Sequence, residues 1–214
     1  MKSVIFDQDG TLLDTFPGIM KSANDVAEML GYGRVEDRER FFPFTGLPLS
    51  VGFPTVYGME GEDAEKAPRM FMQRYVEDGC LHYDYYPGVY EAVRRLHDSG
   101  LILGVSTLKT EDAARKMLDS SSYSGLFSSI RGNTPSDDAE KSLLIRDVLS
   151  DIGSTPAESV FVGDTSGDMM GAAKAGVMFI GVGWGFGSAG LSNYSPVSSD
   201  AVEMEAEIVK RTRA

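Results

Sequence analysis

The sequence predicts an α/β fold: a doubly wound parallel sheet, interrupted early by an inserted all-helical segment. Three observations carry that expectation. Short apolar runs at residues 4–6, 101–105, 160–162 and 179–182 alternate with helical periods, the pattern of buried parallel strands joined by helices. The first three runs end at or just before a polar residue, Asp7, Thr107 or Asp164, and ligands of such sheets gather beyond the carboxyl ends of the strands. Residues 14–83 carry helical periods but no apolar run comparable to the first. The expected division is therefore 1–13 with 84–214 for the sheet domain, and 14–83 for the insertion.

Each element follows from its spacing. After the first run, Phe16, Ile19, Met20, Ala23, Val26, Ala27 and Leu30 recur three and four residues apart, a helix with one broad apolar face closed by Gly31. Residues 32–62 mix charge with Phe41, Phe42, Phe44 and scattered glycine and proline, and read as short helices and loops. A helical period returns over 67–78, where Pro68 either opens the helix or kinks it. Beyond Tyr86-Pro87-Gly88, a helix through Val89, Ala92, Val93 and Leu96 ends near Gly100 and leads into the second run. Ala113, Ala114, Met117 and Leu118 mark the next helix, followed by a weak strand at 129–131 and a helix through Leu144, Ile145, Val148 and Leu149. The third run precedes a helix with Ala172 and Ala173 that Gly176 closes. A strand at 179–182 and a last helix over 202–209 complete the chain, with Lys210 and Arg211 suited to that helix's C-terminal dipole.

Composition narrows the function. A chain of 214 residues, 42% hydrophobic, suits one core domain with a smaller inserted one. The formal net charge of −12 argues against nucleic acid, which demands a basic footprint. No apolar run approaches the roughly twenty residues of a membrane span, and the single Cys80 cannot form an internal disulfide. The expectation is a cytoplasmic protein without membrane attachment, a monomer or weak homodimer.

The chemistry concentrates in VIFDQDGTLLDT at 4–15. Asp7 and Asp9, two carboxylates at the exit of a buried strand, call for a positive partner. Mg2+ is the simplest, a hard cation that takes oxygen ligands; the plain alternative is a solvated acidic turn. The later strand ends extend this into a phosphoryl-transfer site. Asp7 is the candidate nucleophile, and Asp9 the general acid for the leaving oxygen and then the base for water. Thr107 offers a hydroxyl to a phosphoryl oxygen. Lys141 supplies a fixed positive charge that neutralises phosphate and restrains Asp7. Asp164 and Asp168, in GDTSGD, complete the magnesium site with Asp7. Taken singly, each has a plainer reading: Thr107 as a helix cap, Lys141 as a surface lysine, GDTSGD as a turn before a helix. The glycine-rich GVGWGFGSAG at 181–190 reads as a flexible edge loop rather than a phosphate cradle. Coincidence at one sheet edge favours the site, and a small phosphorylated metabolite is the substrate it implies.

DQDGT at 7–11, Thr107, Lys141 and GDTSGD at 163–168 stand in the order of the four signatures of the haloacid dehalogenase-like hydrolases, and the sequence resembles that family over nearly its whole length. DGTLLDT, YYPGV at 85–89, and AAKAGV followed by GVGWGFGS resemble its phosphoglycolate phosphatase-like branch. The resemblance implies a Rossmann-like catalytic core with a helical cap domain inserted after the first strand. It also implies the backbone carbonyl of Asp9 as a further metal ligand. Lys109 stands where relatives often carry a lysine, and FTGLPL at 44–49, with Gly46, resembles the loop that relatives use to meet the substrate. Leu108 departs from the small polar residue common at its position. The expected function is a magnesium-dependent phosphatase acting on a phosphoglycolate-like monoester through an aspartyl-phosphate. The rivals are a nucleotidase, a pyrophosphatase or a sugar-phosphate phosphomutase on the same scaffold, and a non-catalytic binding protein. Dehalogenases of the superfamily lack the second aspartate, so Asp9 counts against dehalogenation.

Overall fold

In the computed structural model, which describes residues 2–134, 140–191 and 197–212, the first apolar run is a central strand, β1 (Ser3–Phe6). It pairs in parallel with β4 (Ile102–Thr110) on one side and β6 (Ser159–Gly163) on the other. Each β1 residue is buried, which is why the run is continuously apolar rather than alternating. β5 (Ser129–Asn133), β7 (Met178–Val182) and β8 (Val197–Ser198) complete the six-stranded order β5-β4-β1-β6-β7-β8. From β1 the chain steps outward through β4 to β5, then returns to β6 on the other side. The order therefore reverses beside β1, at the crevice where doubly wound sheets hold ligands.

The face carrying Ile5 and Phe161 is covered by α7 (Lys141–Asp151) and α8 (Ser166–Ala175), through Ile145, Val148, Leu149 and Ala172. The right-handed rule for parallel crossovers assigns α5 (Val89–Asp98) and α6 (Glu111–Asp119) to the opposite face. There Phe6 meets Phe127 edge-on, ring centres 6.3 Å apart. The last helix, α9 (Ala201–Thr212), is tied to α5 by a 2.6 Å ion pair between Arg95 and Glu205. This is the doubly wound α/β sheet that the sequence predicts. Among the described residues, no helix is long and apolar enough to cross a membrane.

The chain divides into two units, Met1–Asp14 with Tyr85–Ala214, and Thr15–Asp84. Near the two boundaries run β2 (Leu13–Asp14) and β3 (Asp84–Tyr85), paired as a separate two-stranded sheet. The second unit is helical: α1 (Phe16–Met29), α2 (Arg38–Phe41), α3 (Leu49–Tyr57) and α4 (Gly61–Glu77), with 3-10 turns at Phe42–Gly46 and Gly79–Leu81. Its interior is aromatic. Phe44 stacks on Phe41 and meets Phe53 edge-on, both at 5.0 Å, and Phe71 stacks on Tyr75 at 5.5 Å. The buried Asn24 amide accepts from the Val35 N–H at 2.7 Å and the Tyr57 hydroxyl at 2.9 Å, and donates to the Val35 carbonyl at 3.1 Å. A buried amide with three hydrogen bonds costs little and fixes the path of the chain after α1.

Two details depart from the sequence reading. β4 does not stop at Ser106 but continues to Thr110, with its pairing to β5 shifting register between Ser106 and Thr110. Thr107 therefore lies inside the strand, at the irregularity. The helix expected over 67–78 begins earlier, at Gly61, with Glu62 and Asp63 in a first turn that favours acids, so Pro68 does not open it but lies in its interior.

Gln8 is fully buried between Asp7 and Asp9. Its amide nitrogen reaches only the Met117 sulfur at 3.2 Å, and Oε1 has no hydrogen-bond partner among the described residues. An orphaned buried amide costs about 1–3 kcal/mol. Gln8→Met is expected to raise the free energy of unfolding by about 1 kcal/mol, read from the urea midpoint. A lower midpoint would show that Oε1 is paired in solution.

Candidate functional site

The polar residues at the carboxyl ends of the central strands meet in the α/β unit. Asp7 follows β1 directly, its N–H donating to the Val162 carbonyl at 2.8 Å. Asp164 follows β6, Lys141 opens α7, and Asp168 lies in the first turn of α8. Asp7, Asp164 and Asp168 are buried, and each offers a carboxylate oxygen within 4.8 Å of the others. Lys141 is driven in among them. Its Nζ donates to Asp7 Oδ1 at 2.5 Å and to the Ser106 carbonyl at 2.9 Å, and stands 2.9 Å from Asp168 Oδ1. An ammonium carries three N–H donors, and here each has an acceptor.

Asp168 has a second task. Its Oδ2 accepts from the Thr165 hydroxyl at 2.6 Å and the Thr165 N–H at 3.1 Å, while the Asp168 N–H donates back to Thr165 Oγ1 at 3.0 Å. This reciprocal capping box fixes the start of α8. Asp164, wholly buried, accepts from the Thr11 hydroxyl on Oδ1 at 3.2 Å and from the Gly187 N–H on Oδ2 at 3.0 Å. Asp9 is half-buried: Oδ2 lies 3.2 Å from Lys109 Nζ, and Oδ1 has no hydrogen-bond partner among the described residues. Thr107 is buried, and its oxygen accepts the Lys109 N–H at 3.2 Å, leaving the hydroxyl proton to donate elsewhere. Leu108 is more than half exposed. Gly46 belongs to the helical unit, at the end of the 3-10 turn Phe42–Gly46. Of the residues singled out in the sequence, Asp7, Lys141, Asp164 and Asp168 form one cluster, and Lys109 is coupled to Asp9.

The electrostatics would suit a bound cation. Burial pushes the Asp7 carboxyl well above its ordinary pKa, Lys141 pulls it back, and Asp168, Asp164 and Asp9 push it up again. Burial likewise raises Asp164 to about 6, against the pull of the Gly187 N–H and the Thr11 hydroxyl. Burial alone would lower Lys141, yet Asp7 and Asp168 outweigh it and hold its pKa above the ordinary lysine value. Four carboxylates (Asp7, Asp9, Asp164, Asp168) stand against two ammonium groups (Lys109, Lys141), an excess of two negative charges. One divalent cation balances that excess, and an all-oxygen donor set suits magnesium.

Sequence reasoning did not single out Ser106, Thr11, Thr165 or Gly187. Ser106 and Gly187 act through the backbone, which leaves no mark in residue type. Thr165 did leave one, in the spacing Thr165 to Asp168 of a capping box.

The chain belongs to the haloacid dehalogenase-like hydrolases: the family model of that description matches residues 4–182. Among its relatives, a 5'-nucleotidase of Pseudomonas aeruginosa is 32% identical over 187 residues, covering 87% of this chain and 84% of that protein. A phosphoglycolate phosphatase of Chromobacterium violaceum is 31% identical, covering 88% of each. Among solved structures, a haloacid dehalogenase-like family protein from Streptococcus pneumoniae superposes with a TM-score of 0.84 at 26% identity, over 97% of this chain and 98% of that one.

Gly171, inside α8, tests how tightly the lysine is held. Alanine ordinarily gains about 1 kcal/mol over glycine in a helix. A Cβ at 171 would lie 2.7 Å from Lys141 Cγ and 2.9 Å from its Cβ, and the lysine cannot yield because three acceptors hold its tip. Gly171→Ala is therefore expected to lower stability by about 1–3 kcal/mol, measured by urea unfolding. A midpoint at or above wild type would show that the lysine stem has room to move.

Proposed function

We propose that this protein is a magnesium-dependent phosphoric monoester hydrolase that transfers the phosphoryl group of a small substrate to Asp7 and then to water. The observation that carries the reading is the Asp7 carboxylate, held at the exit of the central strand by Lys141 at 2.5 Å, within a group of three buried aspartates. Names among the relatives, a phosphoglycolate phosphatase and a 5'-nucleotidase, support phosphate monoesters as the substrate class. A phosphoglycolate-like ester is the first candidate and a nucleotide the second.

Lys141 ties up Asp7 Oδ1, so the other carboxylate oxygen is the one that attacks phosphorus while the bond to the leaving oxygen breaks. Asp9, whose Oδ1 is unclaimed, gives that oxygen its proton. Asp9 then takes a proton from the water that attacks the phosphorus of the aspartyl-phosphate, releasing inorganic phosphate and restoring the Asp7 carboxylate. Thr107 donates its free hydroxyl proton to a phosphoryl oxygen, and Lys109 and Lys141 supply the positive charge that the phosphoryl group meets. Asp7, Asp164 and the Asp9 carbonyl would hold magnesium directly. Asp168, whose Oδ1 already faces the Lys141 ammonium and whose Oδ2 takes two Thr165 donors, would act through water, whereas each Asp164 oxygen takes one neutral donor and keeps a lone pair for the metal. Bound magnesium neutralises charge on the phosphoryl oxygens.

Selectivity for the leaving group falls to the helical unit, acting as a cap, because the residues named above address only the phosphoryl group and the metal. Within it, Gly46 lets backbone approach a substrate without a side chain in the way.

Hydrolysis of an aryl phosphate tests the reading. Chelation should abolish turnover, magnesium restore it, and calcium support it poorly because its coordination is looser. Asp7→Asn should fold and be inactive, and Asp9→Asn should be slower by about 10²–10⁴-fold. Wild-type turnover by Asp7→Asn would exclude the covalent route. In a panel of phosphoglycolate and nucleoside monophosphates, Gly46→Ala should reorder the substrates, whereas Lys141→Met should depress all of them. Equal losses across the panel for both variants would show that the helical unit does not set selectivity.

A further inference from the structure

We infer that the glycine-rich segment 183–191 is a latch that fixes the Asp164 carboxylate and thereby sets the affinity of the cation site; the inference rests on the metal reading above. The segment leaves β7 and is pinned at both ends. The Gly183 N–H donates to the Ser198 carbonyl at 2.8 Å, and Leu191 is fully buried. Between those anchors it closes on Asp164. The Gly187 N–H holds Oδ2 at 3.0 Å, while Thr11 holds Oδ1 at 3.2 Å from the β1 side. Trp184 joins the two holders, its Nε1 donating to the Thr11 carbonyl at 3.1 Å. Both oxygens of the carboxylate are thus gripped, from opposite sides, by groups that are themselves linked.

The glycines are there for space. Neither Gly185 nor Gly187 has a left-handed backbone. Yet a Cβ on Gly185 would lie 2.3 Å from Asp164 Oδ2, 2.3 Å from the Gly10 carbonyl oxygen and 2.4 Å from Asp164 Cβ. On Gly187 it would lie 2.6 Å from Thr165 Cγ2. Gly190, in the same segment, has room: its Cβ would come no closer than 3.8 Å to Ser166 Oγ. So the segment's backbone lies against the Asp164 carboxylate at 185 and against Thr165 at 187, and leaves 190 free, which is a fitted contact rather than a flexible edge. Groups that orient a metal-ligating carboxylate alter metal affinity by about 10–100-fold when disturbed.

The test is the thermal unfolding midpoint of the full chain as a function of Mg2+ concentration, which reports cation affinity without turnover. Midpoints in chelator establish that each variant folds. Gly190→Ala should follow the wild-type magnesium curve. Gly185→Ala should need about 10–100-fold more magnesium for the same rise. Trp184→Phe, which keeps an aromatic side chain but cannot donate to the Thr11 carbonyl, should shift the curve the same way, and it carries the test if Gly185→Ala fails to fold. Folded Gly185→Ala and Trp184→Phe variants with wild-type curves would overturn the latch and leave the metal reading standing. A wild-type midpoint indifferent to magnesium would overturn both.

Discussion

One buried ammonium group organises the polar edge of the sheet. Taking a lysine and its partner carboxylates out of water costs several kcal/mol per ion, recovered only when the geometry is close and each hydrogen finds an acceptor. Lys141 meets that condition with Asp7, Asp168 and the Ser106 carbonyl. Those acceptors follow β1, open α8 and lie in β4, while the lysine itself starts α7. Four elements are pinned through one nitrogen. Removing the lysine would strand its buried carboxylate partners, at a typical cost of about 3–5 kcal/mol. The interaction that stabilises the edge also holds the candidate nucleophile in one orientation, so the site is prepared before any substrate arrives.

Crowding around the lysine and its neighbouring aspartates leaves room only for small residues nearby. A Cβ on Gly163 would strike Asp168, one on Gly171 the lysine stem, and one on Gly10 or Gly185 the Asp164 carboxylate. The same logic separates what the sequence discloses from what it hides. The strands 4–6 and 160–162 are legible because a strand covered on both faces has no polar alternation to blur it. Asp7 and Asp164 are legible because carboxylates following such strands are costly unless they serve a purpose, and Asp168 because it shares the GDTSGD stretch with Asp164. The 181–190 stretch reads as a loose loop because glycine marks either freedom or close approach, and composition does not say which. β4 reads too short because Thr107, Lys109 and Thr110 break its apolar run although its backbone stays extended. β8, two residues long, is below any periodic signal. In the helical unit, Phe41 and Phe44 sit amid charge and proline, and only the fold reveals them packed with Phe53 and Phe71.

The two units solve different problems with different chemistry. The α/β unit concentrates charge and satisfies it with lysine, hydroxyl and backbone donors. The helical unit rests on stacked rings and one buried asparagine that makes three hydrogen bonds.

The placement of β1 has a consequence for biosynthesis. This strand is made before either of its neighbours, since it pairs with residues 102–105 and 159–162. At about 5–20 residues per second, translation takes on the order of ten seconds to supply β6. Until residues 102–105 are made, Val4, Ile5 and Phe6 have no native partner on either side, and the side facing β6 stays open to the end of that interval. The helical unit, encoded between β1 and β4, is complete long before the sheet can close and is free to fold first. The nascent chain thus carries a finished module beside an unpaired apolar strand, the state in which a chaperone has something to hold.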